Sequence, residues 1–206
     1  NRYIESLWYL LKELYKKDLL YKGYSIQPYS PAAGTGLSTH ELNQPGCYRD
    51  VTDTTCTAQF KITNPFEELS QFGEPFLLAW TTTPWTLPSN TLLAVGPNIE
   101  YVAVQTYNQY TGKPMTVVLA KDLLSTYFSE KDAKLSFEDY KEGDREVPYR
   151  IIDKVWKGSE LAGLEYEQLI PWVKASENAF KVVVADFVTT EDGTGIVHIA
   201  PTFGAD

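Results

Sequence analysis

The chain has 206 residues, with 18 basic and 27 acidic side chains for a net charge of −9, and 43% of it is apolar and 14% aromatic. That is enough apolar material for one full domain plus an appendage, and it excludes disorder and low complexity. Two cysteines, Cys47 and Cys56, exclude a disulfide-stapled scaffold, and no apolar run exceeds five residues, far short of the roughly 18 that a membrane span needs.

No glycosylation sequon occurs, and Asn1 opens the sequence without a leader pattern, so the expectation is a piece of a longer cytosolic protein. Residues 1–60 carry six basic and six acidic groups, and residues 61–206 carry 12 and 21. Phosphate contacts need a basic surface, so this balance argues against a self-sufficient nucleic-acid binder.

In chain order, residues 2–17 predict an amphipathic helix. Ile4, Leu7, Trp8, Leu11, Leu14 and Tyr15 form one stripe, and Gly23 is a plausible stop. Residues 24–29 suggest a short strand, and Pro31, Gly34, Gly36 and Pro45 mark a turn-rich connector. Beyond it the signals are mostly β. Strands are expected at 57–62, 76–82, 91–95, 101–106, 116–119, 147–156, 182–188 and 196–200, with a hairpin tip at Thr111-Gly112-Lys113. Helices are expected at 122–128 and, more weakly, at 161–169. Many short strands with few helices predict a mainly β (α+β) fold, a closed or nearly closed β-barrel with peripheral helices.

Cys47, Cys56, His40 and His198 show no CxxC or HxxxH spacing, so no metal is expected, and neither a phosphate-binding glycine loop nor a GxSxG elbow is present. Two segments stand out. Residues 80–90 read WTTTPWTLPSN, where a strand runs into three threonines, and Pro84 and Pro88 break the strand and stiffen the adjoining loop. Alternation puts Thr81 and Thr83 on one face and Thr82 on the other. Residues 193–206 read GTGIVHIAPTFGAD, a glycine turn leading into a strand that carries His198. Taken singly, the first segment fits a β run ending in a turn and the second fits a hydrogen-bonded structural histidine.

Together these segments resemble the editing insert of isoleucyl-tRNA synthetases, and residues 3–31 resemble the helix and connector by which that insert leaves the catalytic domain. The turn-rich connector places a boundary near residue 45, and the resemblance makes 1–45 a tether and 46–206 an editing domain. Thr83 and Trp85 stand where valyl and leucyl inserts typically carry arginine and an acid, which favours the isoleucyl member. Ser30, Ala32 and Ala33 stand where many bacterial relatives carry cysteines, so no metal knuckle and no cofactor are expected.

The resemblance implies a hydrolase acting on the ester of Val-tRNA(Ile), with valyl-adenylate a further candidate. An isoleucine site gains only about 1–3 kcal/mol from one methylene, a limit for which isoleucyl-tRNA synthetases are themselves the standard illustration. It further implies that the catalytic set is Thr81, Thr82, Thr83, Asn90 and His198: the threonines line the site holding the ester, the terminal adenosine or the water, Asn90 positions a backbone or substrate hydroxyl, and Trp85 helps to bind the substrate. His198 then serves as a size gate, with a base role ranked below it. The family's amine-binding acid falls one position past Asp206, which could substitute for it. The chain alone is therefore expected to be weak or inactive and to have negligible tRNA affinity. Implied partners are the valylated 3′ end of tRNA(Ile) and the rest of the parent synthetase, with a monomeric, cytoplasmic and membrane-free setting. Two alternatives stand: a valyl or leucyl insert, and a non-catalytic binding module built on the 28 aromatic residues.

Overall fold

The computed structural model describes residues 1–175, 177–201 and 203. It divides into two compact units, residues 1–50 and 51–206.

The first unit opens with helix α1 (Arg2–Lys16), none of whose residues is buried. It ends before Gly23. Asp18 takes a left-handed conformation (φ 57°), the Leu19 N–H donates to the Leu14 carbonyl and the Asp18 N–H to the Tyr15 carbonyl. That pattern closes the helix with its last carbonyls satisfied, so no glycine is needed. The strand expected at 24–29 shrinks to a two-residue hairpin, β1 (Tyr29–Ser30) antiparallel to β2 (Thr35–Gly36). A short helix α2 (Thr39–Leu42) comes next, nucleated by a reciprocal Ser38–Glu41 capping box.

The second unit holds two larger sheets. Strands β3 (Cys56–Lys61), β4 (Glu74–Thr81), β6 (Glu100–Tyr107), β7 (Pro114–Ala120) and β8 (Arg150–Lys157) form the first, in the order β3-β4-β7-β6-β8. All its pairings are antiparallel except β4 with β7. Strands β5 (Leu92–Val95), β9 (Lys181–Val184) and β10 (Ile196–Ile199) form the second, with β5 central, antiparallel to β10 and parallel to β9. Among the described residues neither sheet closes into a barrel, contrary to expectation. β3 and β8 remain edges of the first sheet, and β10 pairs with β5 instead of closing it.

Strands β6 and β7 are buried on both faces, as central strands covered from two sides should be. One face carries Phe60, Leu77, Tyr101, Val118 and Trp156 and shares its core with Leu93, Val95, Val182 and Ile196 of the second sheet. The other face carries Leu78, Val102, Val104, Val117 and Leu119, covered by Leu124, Tyr127 and Phe128. The helix expected at 122–128 is a 3-10 turn (Lys121–Leu123) leading into α3 (Leu124–Tyr127). The helix expected at 161–169 does not form. The short α4 (Gly158–Leu161) stops before Gly163 (φ 85°), and Glu165 and Tyr166 make β-bridges to Lys181 and Ile62.

Candidate functional site

Strand β4 delivers Thr81 buried at its end. Pro84 then starts a 3-10 helix (Pro84–Ser89), because its fixed φ suits a first helical turn and its missing N–H is not required there. The Thr81 hydroxyl oxygen accepts the Thr83 N–H at 3.0 Å and lies 3.2 Å from the Thr83 hydroxyl, which places these two side chains together as alternation predicts. Thr82 is exposed. The turn of 3-10 helix brings Thr86 back over Thr83, where its hydroxyl donates to the Thr83 carbonyl at 2.8 Å.

The opposite wall comes from the turn before β10. The Ala120 N–H donates to the Thr194 carbonyl, and the buried Tyr101 hydroxyl donates to the Gly195 carbonyl at 2.6 Å while accepting the Gly96 N–H. Burial raises the Tyr101 pKa to about 12, so it stays a neutral donor. Gly195 (φ 72°) lies so close that a Cβ there would sit 2.4 Å from the Ala120 Cβ, which only glycine permits. This clamp sets the start of β10. Ile196 faces the core, and His198, two residues on and on the same side, reaches the point where the core opens.

Between the walls lies a cleft of about 360 Å³. Thr81, Thr82, Thr83, Thr86 and His198 line it, with Trp80, Phe187, Asp192 and the 193–195 turn among its other walls. Trp85 is 62% exposed and does not line it. Asn90 lies behind His198 and is buried. Asp206 lies outside the described residues. Among those described, no three His, Cys, Asp or Glu side chains cluster as a metal site would require.

His198 is held at both nitrogens. Its Nε2 lies 2.8 Å from the Thr86 hydroxyl and its Nδ1 lies 3.3 Å from Asn90 Nδ2. The same Asn90 amide group donates to the Leu92 carbonyl at 3.0 Å, which fixes which end of the side chain is nitrogen. Nδ1 therefore accepts, and in the neutral ring Nε2 carries the proton and donates to Thr86. The Thr86 hydroxyl in turn donates to the Thr83 carbonyl, so the chain of donors is consistent from end to end. Asn90 Oδ1 accepts the hydroxyl of Tyr166 at 2.8 Å. Thr86 and Tyr166 are the members of this network that sequence reasoning missed. Thr86 could have been found from its three-residue spacing to Thr83, whereas nothing local signals Tyr166.

Burial lowers the His198 pKa below the ordinary 6.5. The unfolded chain then binds this proton more tightly than the folded one. The contribution to stability is complete above 6.5 and is lost as pH falls from there toward the lowered folded value. Thermal melts from about pH 7.5 down to about pH 5.5 should show a smaller loss for His198→Gln than for the unaltered chain, since the variant has no imidazole to charge. Equal losses would remove this assignment.

No family model matches the chain. Over all 206 residues it is 71% identical to the isoleucine–tRNA ligase of Bacteroides fragilis, covering 18% of that protein. It is 68% identical, over 207 aligned residues and 18% of the relative, to that of Porphyromonas gingivalis, and 43% identical over 206 residues, 17% of the relative, to that of Clostridium tetani. Among solved structures, the editing domain of the P. knowlesi cytosolic leucyl-tRNA synthetase overlaps 71% of this chain and 58% of its own, at 16% identity and a TM-score of 0.49. The chain thus spans about a fifth of the length of the curated relatives it matches. By identity sustained from its first residue to its last, the chain belongs, as a segment, to the isoleucine–tRNA ligase family.

Proposed function

We propose that the cleft is a post-transfer editing site, which hydrolyses the ester joining valine to the terminal ribose of tRNA(Ile). The observation that carries this reading is that Thr81, Thr82, Thr83 and Thr86 line one small cleft together with His198, whose ring meets the Thr86 hydroxyl. An aminoacyl ester is already activated, so no covalent nucleophile is required. Positioning a water and stabilising the developing oxyanion suffice, and threonine hydroxyls both donate and accept.

In this reading the ester lies against Thr81, Thr82 and Thr83, and the amino-acid side chain points at His198 and Thr86. His198 is already engaged at both nitrogens and is neutral, which suits a fixed wall better than a proton acceptor. The wall admits valine and leaves no room for the extra carbon of isoleucine. Asn90 acts from behind by holding the wall. Residues 1–45 serve as the tether to the rest of the synthetase and residues 46–206 as the editing domain. The partners are the valylated 3′ end of tRNA(Ile) and the parent enzyme, acting as a monomer in the cytoplasm with no cofactor in this segment.

The test is made in the parent synthetase carrying Thr82→Ala with Asn90→Ala. Val-tRNA(Ile) should accumulate because its deacylation falls by about 10²-fold, the usual scale for losing a charge-stabilising contact, supplied here by Thr82 while Asn90→Ala loosens the wall. Unchanged deacylation would sink the assignment.

A further inference from the structure

We propose that Tyr166 is a positioning residue for the gate: acting through Asn90, it holds His198 in the neutral form protonated at Nε2. The functional consequence rests on the reading of His198 as a size gate, whereas the assignment of the ring's protonation does not.

The position of the Tyr166 ring owes nothing to the site. It packs edge-on against Phe60 at 5.2 Å and Phe180 at 5.9 Å, and is 3% exposed. Its N–H donates to the Phe180 carbonyl, and the Phe180 N–H donates to the Thr91 carbonyl, next to Asn90. Phe180 adopts φ 64°, a left-handed conformation that a bulky residue takes only when its surroundings enforce it. This backbone tie brings the tyrosine hydroxyl to Asn90 across 76 residues of sequence.

The hydroxyl then has one role in the fold. Burial raises its pKa well above the ordinary 10.0, so it remains a donor throughout the physiological range. It donates to Asn90 Oδ1, while Asn90 Nδ2 donates to the Leu92 carbonyl. Gripped at both ends, the amide cannot turn over. Its remaining N–H is aimed at His198 Nδ1, and a proton on Nδ1 would meet another donor. The ring is therefore kept uncharged and fixed against Thr86. Asp192, on the loop before β10, is the other titratable side chain lining the cleft among the described residues.

Tyr166→Phe keeps the aromatic packing and deletes only the donor. Asn90 Oδ1 is then buried without a partner, and only the bond to the Leu92 carbonyl still opposes a turn of the amide that would present its oxygen to Nδ1 and favour a proton there. The chain has two histidines, so ¹⁵N-histidine labelling gives an NMR spectrum in which His198 is separable from the exposed His40. In the unaltered chain His198 should show a protonated Nε2 and a bare Nδ1. In Tyr166→Phe the two forms should mix, and the apparent pKa should rise by on the order of one unit. Phe180→Leu, which loosens the ring but keeps the hydroxyl, should lower stability and leave the protonation pattern alone.

In the parent synthetase, Tyr166→Phe should raise hydrolysis of Ile-tRNA(Ile) relative to Val-tRNA(Ile) by roughly 3–10-fold, the worth of one lost hydrogen bond. A bare Nε2 in the unaltered chain, or an unaltered spectrum and titration in a folded Tyr166→Phe, would overturn the proposal. If the unaltered cleft does not hydrolyse Val-tRNA(Ile), the editing reading fails by itself, and the spectrum still decides the role of Tyr166.

Discussion

His198→Ala in the parent synthetase should open hydrolysis of correctly charged Ile-tRNA(Ile), raising it by about 10–200-fold. That range is the general worth of one methylene in an apolar pocket, and it is best known from this same class of enzyme. The effect comes from how the ring is held. Both nitrogens are engaged, so the imidazole stands as a fixed wall of the cleft beside Thr86. Removing it enlarges the cleft on the side where the proposed reading places the amino-acid side chain. The variant should still fold, because Thr86 keeps its bond to the Thr83 carbonyl and Asn90 keeps Leu92 and Tyr166. The measurement is deacylation of Ile-tRNA(Ile) and Val-tRNA(Ile) side by side. Loss of valyl hydrolysis with isoleucyl-tRNA untouched would make His198 a catalyst and not a gate.

The largest stability effect should come from Asn90→Ala. Asn90 is 4% exposed, and its side chain meets Tyr166, Leu92 and His198. Truncation leaves the buried Tyr166 hydroxyl without an acceptor and the Leu92 carbonyl without this donor. An orphaned buried polar group costs about 1–3 kcal/mol, so the total should be about 2–4 kcal/mol, a Tm decrease of roughly 5–15 °C for a unit of this size. A double-mutant cycle gives the sharper check. Combining Asn90→Ala with Tyr166→Phe removes both partners of one hydrogen bond, so the pair should cost less than the sum of its singles. Strict additivity would mean that the hydroxyl and the amide do not depend on each other.

The strands of the second unit were legible because their residues are β-branched or aromatic and lie between turn signals. β6 and β7 are runs of Val, Ala, Leu and Thr flanked by the Asn108–Lys113 turn, which leaves little room for another reading. How the strands pair was not legible. The parallel contacts of β4 with β7 and β5 with β9 join residues far apart in sequence, and nothing in a single strand's composition reports its partner. The expectation of a closed or nearly closed barrel turned on this point, and among the described residues no sheet closes. The 161–169 segment misled because Leu161, Leu164 and Leu169 recur at near-helical spacing, while Gly163 and the bridges at Glu165 and Tyr166 decide the backbone. At the site, the threonines and His198 stood out as motifs and meet in one cleft. Trp85 belongs to the same motif but faces outward, because the 3-10 turn that carries Thr86 inward carries its neighbour out. Tyr166 gave no local signal, because its importance comes from the Phe180–Thr91 tie and not from its own neighbours in sequence.

The central claim is that this cleft receives a valyl ester and excludes an isoleucyl one. A crystal structure of the parent synthetase soaked with a non-hydrolysable valyl-adenosine analogue tests it most directly, with the isoleucyl analogue as the paired soak. The valyl group should lie against His198 and Thr86, with its ester mimic among Thr81, Thr82 and Thr83, and no isoleucyl analogue should enter the same cleft. A valyl analogue bound elsewhere, or an isoleucyl analogue seated equally well beside His198, would contradict it.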